Sequence, residues 1–448
     1  MPYSIKNSSE DGSRVISLWL GILSILLGIL LNRYVLGYVL AVDGKIEEPL
    51  SNVIIVSGQL ALLGLGVYLL KTRPRISLTN LLLTVSSALF ATLLGGVILQ
   101  FFYSPSPVTF GWRFTGSKFE KNQLGFRGQP IAYSQEDYVI LLLGDSMVQA
   151  AACVFGWMPE RRLEHHLRAF GKRAKVFSIG AGGYGQDQQL LVSKEYYRRF
   201  RADLVVLWQV PENDIWNNMF PTHWPANGRR KPTFWLKHGE LYGPTGQMDE
   251  KAPTPTIKLI ALLQNTFGYV DWDKEWERNL PPPYTPLTEY NGPANYSWQK
   301  RWDLDFGDMR NENLANEKSH LALYLTPHSQ RMEYGLALTR KLLQEIAKLV
   351  QSQHGKFLIF DYTTPPRDYS IGAEEMYALN GKYYKTSKLQ KESNINYINA
   401  GFESIIVAVT VPDWRVGPED GHLNQHAVDQ TMRGLANDLK SFIPDKRE

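Results

Sequence analysis

A chain of 448 residues with 44% hydrophobic content is longer than one typical domain and has ample apolar material for a large core. Its 48 Lys and Arg stand against 44 Asp and Glu, so there is no basic excess of the kind that marks a nucleic-acid binder, and nucleic acid is not an expected partner. The single cysteine, Cys153, excludes an intramolecular disulfide and reads as a buried apolar thiol.

Three apolar runs open the chain, at about residues 15–36, 50–70 and 77–102. Each can cross a bilayer as a helix, which takes roughly 20 apolar residues. Arg33 interrupts the first run, and Tyr34 and Tyr38 beside it suggest an interfacial end where long cations and aromatics settle. Two readings stay open: a full crossing, or a re-entrant or interfacial segment. No small-residue cleavage site follows the first run, so residues 1–104 are expected to be a retained anchor of two to three transmembrane helices. The loop containing Lys71, Arg73 and Arg75 is strongly basic, whereas Asp43 to Glu48 is acidic. Cytoplasmic loops carry excess Lys and Arg, which puts the basic loop inside and everything after Phe102 outside.

Residues 105–448 have mixed polarity and alternate two patterns. Near-continuous apolar runs at Tyr138 to Leu143, Lys175 to Ile179, Asp203 to Val210, Lys356 to Tyr362 and Ile395 to Ile398 predict strands covered on both faces. Helical patterns at Pro159 to Phe170, Gln186 to Phe200, Arg331 to Gln353 and Gln425 to Phe442 lie among them. The alternation predicts an α/β domain with a parallel sheet and sites at the C-terminal ends of its strands. Residues of about 215–327 break the rhythm with Pro281-Pro-Pro283 and seven of the twelve tryptophans, which predicts a long aromatic-rich insertion. Trp216 and its fellows can stack on sugar rings, although packing within the insertion suits most of them better.

Three short pieces carry chemistry. Gly144-Asp145-Ser146 follows the first strand, where helix N–H groups stabilise developing negative charge and a nucleophile is well placed. Val148 occupies the second glycine position of a Gly-x-Ser-x-Gly elbow, which argues against an ordinary α/β-hydrolase. Gly180-Ala-Gly182-Gly183-Tyr184-Gly185 follows the second strand and lets backbone approach a ligand closely, either as a tight turn or as an oxyanion donor. Asn213 follows the third strand, where its amide suits either an Asx turn or a tetrahedral oxyanion. Asp420-Gly-His422, in a loop before the last helix, supplies a base with an orienting acid, and Glu419 is a rival acid. The nine histidines form no His-Glu-x-x-His, so neither a metal nor another cofactor is expected. His165 and His166, with Arg161 and Arg162, read as a solvated helix surface.

Together these residues resemble the SGNH, or GDSL, hydrolase superfamily over roughly residues 120–442, and specifically its bacterial membrane-anchored members linked to exopolysaccharide O-acetylation. Leu124-Gly-Phe-Arg-Gly128 and Gly183-Tyr-Gly-Gln-Asp-Gln188 look like segments of such members. The resemblance implies a flavodoxin-like three-layer α/β/α domain. It also implies Ser146 as nucleophile, His422 as base and Asp420 as its orienting acid, with an oxyanion hole of Ser146, Gly183 and Asn213. Tyr184 and Trp216 become candidates for substrate contact. Two departures stand out: Pro211-Glu212 precedes Asn213-Asp214 where the family has Gly-x-Asn-Asp, and the family's aspartate three residues before histidine is here Glu419.

The expectation is a serine esterase or O-acyltransferase in the bacterial inner membrane, its catalytic domain periplasmic. It would act on O-acetyl or other esters of cell-envelope or exported polysaccharide, beside other export or acetylation proteins. Hydrolase and transferase share one acyl-enzyme and are not separable here. The alternatives are a catalytically idle polysaccharide-binding or assembly subunit, motivated by the altered third block, and a lipase or lysophospholipase.

Overall fold

The computed structural model describes residues 8–40, 46, 49–102, 120–222, 231–245, 272–297, 312–364, 373–417 and 420–444. The chain divides into two compact units, Met1–Val108 with Lys251–Asp271, and Thr109–Glu250 with Trp272–Glu448.

In the first unit lie α1 (Ser8–Leu30), α2 (Arg33–Leu40), α3 (Pro49–Thr72) and α4 (Leu78–Phe102). Three of them are long and apolar enough to cross a membrane, over Ser13–Leu30, Leu50–Thr72 and Leu78–Phe101. The first apolar helix ends at Leu30, short of the expected 36. The cause is local: Asn32 Oδ1 accepts from the N–H groups of Tyr34 (2.8 Å) and Val35 (3.0 Å), capping a new helix at Arg33. Arg33 therefore lies beyond the unbroken apolar stretch, with its guanidinium 4.8 Å from the Tyr34 ring centre. Helices α1 and α3 approach closely because small residues face each other. A Cβ on Gly66 would fall 2.5 Å from Ile25 Cγ1, and Ser24 Oγ donates to the Leu62 carbonyl at 2.8 Å. Glycine and serine at such contacts are how apolar helices associate without a hydrophobic driving force.

The second unit runs β1 (Tyr138–Gly144), α5 (Ser146–Gln149), α6 (Pro159–Ala169), β2 (Ala174–Gly180), α7 (Gln186–Tyr196), β3 (Leu204–Trp208), α8 (Pro211–Met219), β4 (Thr233–Lys237), β5 (Glu240–Thr245), α9 (Trp272–Glu277) and β6 (Asn295–Ser297). It continues with α10 (Gln330–Ser352), β7 (Lys356–Thr363), β8 (Glu374–Leu379), β9 (Lys382–Ser387), α11 (Lys388–Asn399), β10 (Ser404–Ala408), β11 (Arg415–Gly417), β12 (Asp420–Leu423) and α12 (Gln425–Leu439). Five strands form one sheet in the order β10-β7-β3-β1-β2, and every pairing within it is parallel.

Alternation along the strands builds two cores. Ile140, Leu142, Val176 and Val206 face Leu163 and Leu167 of α6 and Val428, Met432 and Leu435 of α12. Val139, Leu141, Leu143 and Leu207 face Leu190 of α7 and Leu338, Leu342 and Ile346 of α10. Helices thus cover both faces, which explains why the strands read as continuous apolar runs rather than alternating ones. Each fully buried Leu or Ile stabilises by about 1.5–3 kcal/mol. His166 is not a solvated surface residue: its Nε2 lies 2.7 Å from Asp429 Oδ1, which also receives Arg162 Nε at 2.5 Å, joining α6 to α12.

The expected strand at Ile395 to Ile398 is instead the last turn of α11. Asn394, Ile395 and Ile398 fall on one helical face, and Ser387 Oγ caps the start by accepting from the Gln390 N–H at 3.3 Å. The fifth strand is β10, an edge strand paired only with β7 among the described residues. The insertion has a core of its own, where Leu314, Leu321, Leu323 and Tyr284 pack on Ile215, Trp216 and Met219 of α8 and on Met332 and Leu336 of α10. Trp224, Trp298 and Trp302 lie outside the described residues.

Candidate active site

Strand β1 pairs with β2 on one side and β3 on the other, so the chain's course reverses at β1. In an open α/β sheet, the crevice at the carboxyl ends of the strands beside such a reversal is where ligands bind. The turns leaving β1, β2 and β3 carry Ser146, Gly183 and Asn213.

From Asp137 to Ala150 only Ser146 is not buried. On leaving β2, Gly182 and Gly183 are half-buried between buried Ala181 and Tyr184; on leaving β3, Glu212 and Asn213 are half-buried between Pro211 and Asp214. The three turns therefore uncover the candidate residues and little else.

Packing shapes the first turn. Asp145 caps α5, its Oδ1 accepting from the Met147 N–H at 2.8 Å. Val148, the residue that breaks the Gly-x-Ser-x-Gly pattern, fills the space over two strand ends: a Cβ on Gly144 would meet Val148 Cγ2 at 2.5 Å, and one on Gly180 would meet Val148 Cβ at 2.7 Å. Arg127, from the Leu-Gly-Phe-Arg-Gly segment, ties down the following loop by donating to the carbonyls of Gln149 (3.1 Å), Ala150 and Cys153 (2.6 Å). Cys153 is buried, as its sequence context suggested, and burial pushes its thiol up.

Two bonds join the turns to each other. Gln149 Oε1 accepts from the Gly182 N–H at 3.1 Å, and Asn213 Nδ2 donates to Asp145 Oδ2 at 3.2 Å. Gly183 itself has φ of +76°, a left-handed conformation that favours glycine. Beneath them is a buried polar layer. Asp214 Oδ2 accepts from Gln186 Nε2 at 2.7 Å and the Val210 N–H at 2.8 Å, and Asn218 Nδ2 reaches Gln186 Oε1 (2.6 Å) and Thr339 Oγ1 (2.9 Å). Asp187 pairs with buried Lys231. Burial and the neighbouring Asp145 charge push Asp214 well above the usual carboxylate range.

His422, the residue expected to be the base, lies on β12, half of a two-stranded ribbon with β11, rather than in a loop. Side chains two apart on a strand share a face, so Asp420 and His422 stand together: the ring Nδ1 is 2.5 Å from Asp420 Oδ1, which also accepts the His422 backbone N–H at 3.0 Å. The hydrogen bond to Asp420, then the charges of Asp420 and Asp145, raise His422 above the ordinary imidazole value, and the same bond lowers Asp420. Helix α5, which Ser146 opens, lies beside β12. Among the described residues, no hydrogen bond joins Ser146 Oγ to His422. Glu419 lies outside the described residues.

Tyr184 and Trp216 are not substrate platforms. Tyr184 is fully buried and meets Phe126 edge-on at 6.3 Å; Trp216 is 2% exposed and belongs to the insertion core. Each lies one residue or one turn beyond an uncovered position, on the inward side of its segment.

Sequence reading missed three contributors. Gln149 stands one turn after Ser146, a spacing that is visible once α5 is known to be helical. Lys391 of α11 pairs with Glu212 and donates to Tyr324 Oη at 3.0 Å, so the acid preceding Asn213 is neutralised by a residue 179 positions away. In the insertion, His320 Nδ1 meets Glu312, whose carboxylate also accepts from Ser319 Oγ (2.8 Å) and the His320 N–H (3.2 Å). The Lys391–Glu212 pair, 179 residues apart, leaves no local sequence signal.

Compared with known proteins, the chain matches no family model and no curated protein.

Proposed function

We propose that this chain is a membrane-anchored serine ester hydrolase or acyl transferase of the SGNH type. The observation that carries the reading is the convergence at one sheet reversal: three turns expose Ser146, Gly183 and Asn213, and the Asp420–His422 pair stands on β12 beside α5.

In this mechanism Ser146 Oγ attacks the ester carbonyl carbon and passes its proton to His422 Nε2. The N–H groups of Ser146 and Gly183 and the Asn213 amide stabilise the oxyanion. His422 then gives its proton to the departing alcohol, leaving an acyl-serine. A second hydroxyl, of water or of a sugar, loses its proton to His422 and takes the acyl group, and His422 returns that proton to Ser146 Oγ as the acyl–serine bond breaks. Asp420 holds the imidazole tautomer and stabilises the imidazolium. The substrate class, O-acyl and especially O-acetyl groups of envelope or exported polysaccharide, follows the family resemblance and the location of the domain outside the membrane.

That location rests on the loops. With α1 unbroken from Ser13 to Leu30, three full crossings put the basic loop Lys71 to Arg75 and the N-terminal Lys6 and Arg14 on one side, in the cytoplasm, and the acidic loop and the large unit on the other.

The altered third block, with Pro211 in the place of the family's glycine, favours a second reading, a catalytically idle carbohydrate-binding subunit. Fluorophosphonate labelling of the full-length protein in detergent separates the two. Label on wild type and none on Ser146→Ala supports the enzyme; an unlabelled wild type supports the binding subunit.

A further inference from the structure

One buried amide beside the site takes no part in the mechanism above. Asn217 lies on α8 four residues after Asn213, so the two side chains are neighbours on one helix face, and Asn217 is 1% exposed. It packs against the turn that leaves β2, because a Cβ on Gly185 would fall 3.1 Å from Asn217 Cβ. Asn217 therefore stands one helical turn further in than Asn213 and against the glycine two residues past Gly183. Among the described residues, neither its Nδ2 nor its Oδ1 has a hydrogen-bond partner.

Two neighbouring atoms share that condition. Asn213 Oδ1 and Asp214 Oδ1 are buried and unpartnered among the described residues, while the other end of each side chain is engaged: Asn213 Nδ2 on Asp145, and Asp214 Oδ2 by Gln186 Nε2 and the Val210 N–H. Residues 213 and 214 lie four and three positions before 217, the spacings that bring helical side chains together. A buried polar atom left unpaired costs about 1–3 kcal/mol, and an ordered water that makes about three hydrogen bonds is how protein interiors satisfy such a group of atoms. The donor set suits one. Asn217 Nδ2 gives the water a hydrogen, and the water gives one to Asn213 Oδ1. Its third bond goes to Asp214 Oδ1, as donor to a carboxylate or acceptor from a carboxyl.

This matters for Asn213, because an amide can present either end. Oxyanion stabilisation needs its nitrogen outward, and Asp145 Oδ2 already holds one N–H from that side. A donor on the inner side, at Oδ1, fixes the same orientation from behind, whereas an acceptor there would draw the nitrogen inward.

We infer that Asn217 is a positioning residue: through a water shared with Asn213 Oδ1 and Asp214 Oδ1, it holds the Asn213 amide with its nitrogen toward the oxyanion. This rests on the serine-esterase reading and goes beyond it by naming the residue that orients the third oxyanion donor.

The test is a double-mutant cycle on full-length protein in detergent, read by 4-nitrophenyl acetate turnover, fluorophosphonate labelling and thermal melts. Asn217→Asp keeps the shape and exchanges the donor for an acceptor, so kcat should fall by about tenfold or more with KM within about twofold, part of the loss expected for removing the oxyanion donor itself. Asn217→Ala removes the donor without adding charge and should show the same pattern with a smaller loss. In an Asn213→Ala background each substitution should cost less than about twofold, because no amide is left to orient. Equal kcat losses in the two backgrounds, a loss confined to KM, or full activity in both Asn217 variants would overturn the inference; equal losses with a lowered melting temperature would mark Asn217 as a packing residue only. A wild type that is neither labelled nor active would instead overturn the esterase reading beneath it.

Discussion

Asn213 Nδ2 donates to Asp145 Oδ2 at 3.2 Å, bridging the turns that leave β3 and β1. The amide nitrogen carries two hydrogens, and this bond uses one, so Asn213 can fix the nucleophile turn and still donate to an oxyanion. Asn213→Ala should therefore lower kcat by about 10²–10³ while changing KM little, because an oxyanion exists mainly in the transition state. A loss confined to KM would mean that Asn213 holds the ground-state substrate.

Ser146→Ala and His422→Ala should each remove nearly all turnover, and the double variant should be little worse than either, since the two act as one unit. Additive losses would break the assignment.

Gly144 has no room for a side chain: a Cβ would lie 2.5 Å from Val148 Cγ2 and 3.0 Å from the Trp208 carbonyl oxygen. Gly144→Ala should cost about 1–3 kcal/mol in stability and also lower kcat, because Ser146 is two residues away. Adding Val148→Ala should restore part of the stability, with the Trp208 carbonyl preventing full recovery. Thermal melts of the two variants decide the matter; no rescue would locate the strain elsewhere.

For the anchor, alkaline phosphatase fused after Glu448 should be active and a fusion within Lys71 to Arg75 inactive. Activity at the basic loop would invert the topology.

The sheet and its covering helices were legible because strands buried on both faces leave apolar runs, and β1, β2, β3 and β7 stand where those runs fall. The run at Ile395 misled because Ile395 and Ile398 are spaced for a helix, whereas the true edge strand Ser404–Ala408 is short and partly exposed. Ser146, Gly183 and Asn213 announce themselves locally, since each follows a strand. What lies beside them does not: Lys391 of α11 meets Glu212 across 179 residues, a pairing that no periodicity encodes. Tyr184 and Trp216 show the converse, being aromatic neighbours of the site whose side chains turn into the core.

The acid behind His422 is the sharpest remaining test. The family's spacing points to Glu419, but on strand β12 it is the residue two before histidine that shares its face, and Asp420 Oδ1 lies 2.5 Å from the ring. This bond raises His422 above 6.5 and lowers Asp420 below 3.8. A raised histidine contributes stability below its unfolded value that is lost as pH rises through the folded one. A lowered aspartate contributes above its unfolded value and loses that contribution as pH falls, so the pair stabilises most between about 3.8 and 6.5. Catalysis runs the other way, because a base must be neutral. The rate should rise with pH through a midpoint above the ordinary imidazole value. Asp420→Asn should move that midpoint down while cutting kcat by up to about 10⁴, with the fold intact. Glu419→Gln should stay within a few-fold of wild type with an unshifted profile. A shifted profile in Glu419→Gln and an unshifted one in Asp420→Asn would transfer the role to Glu419; two mild effects would leave a Ser146–His422 dyad working without an orienting acid.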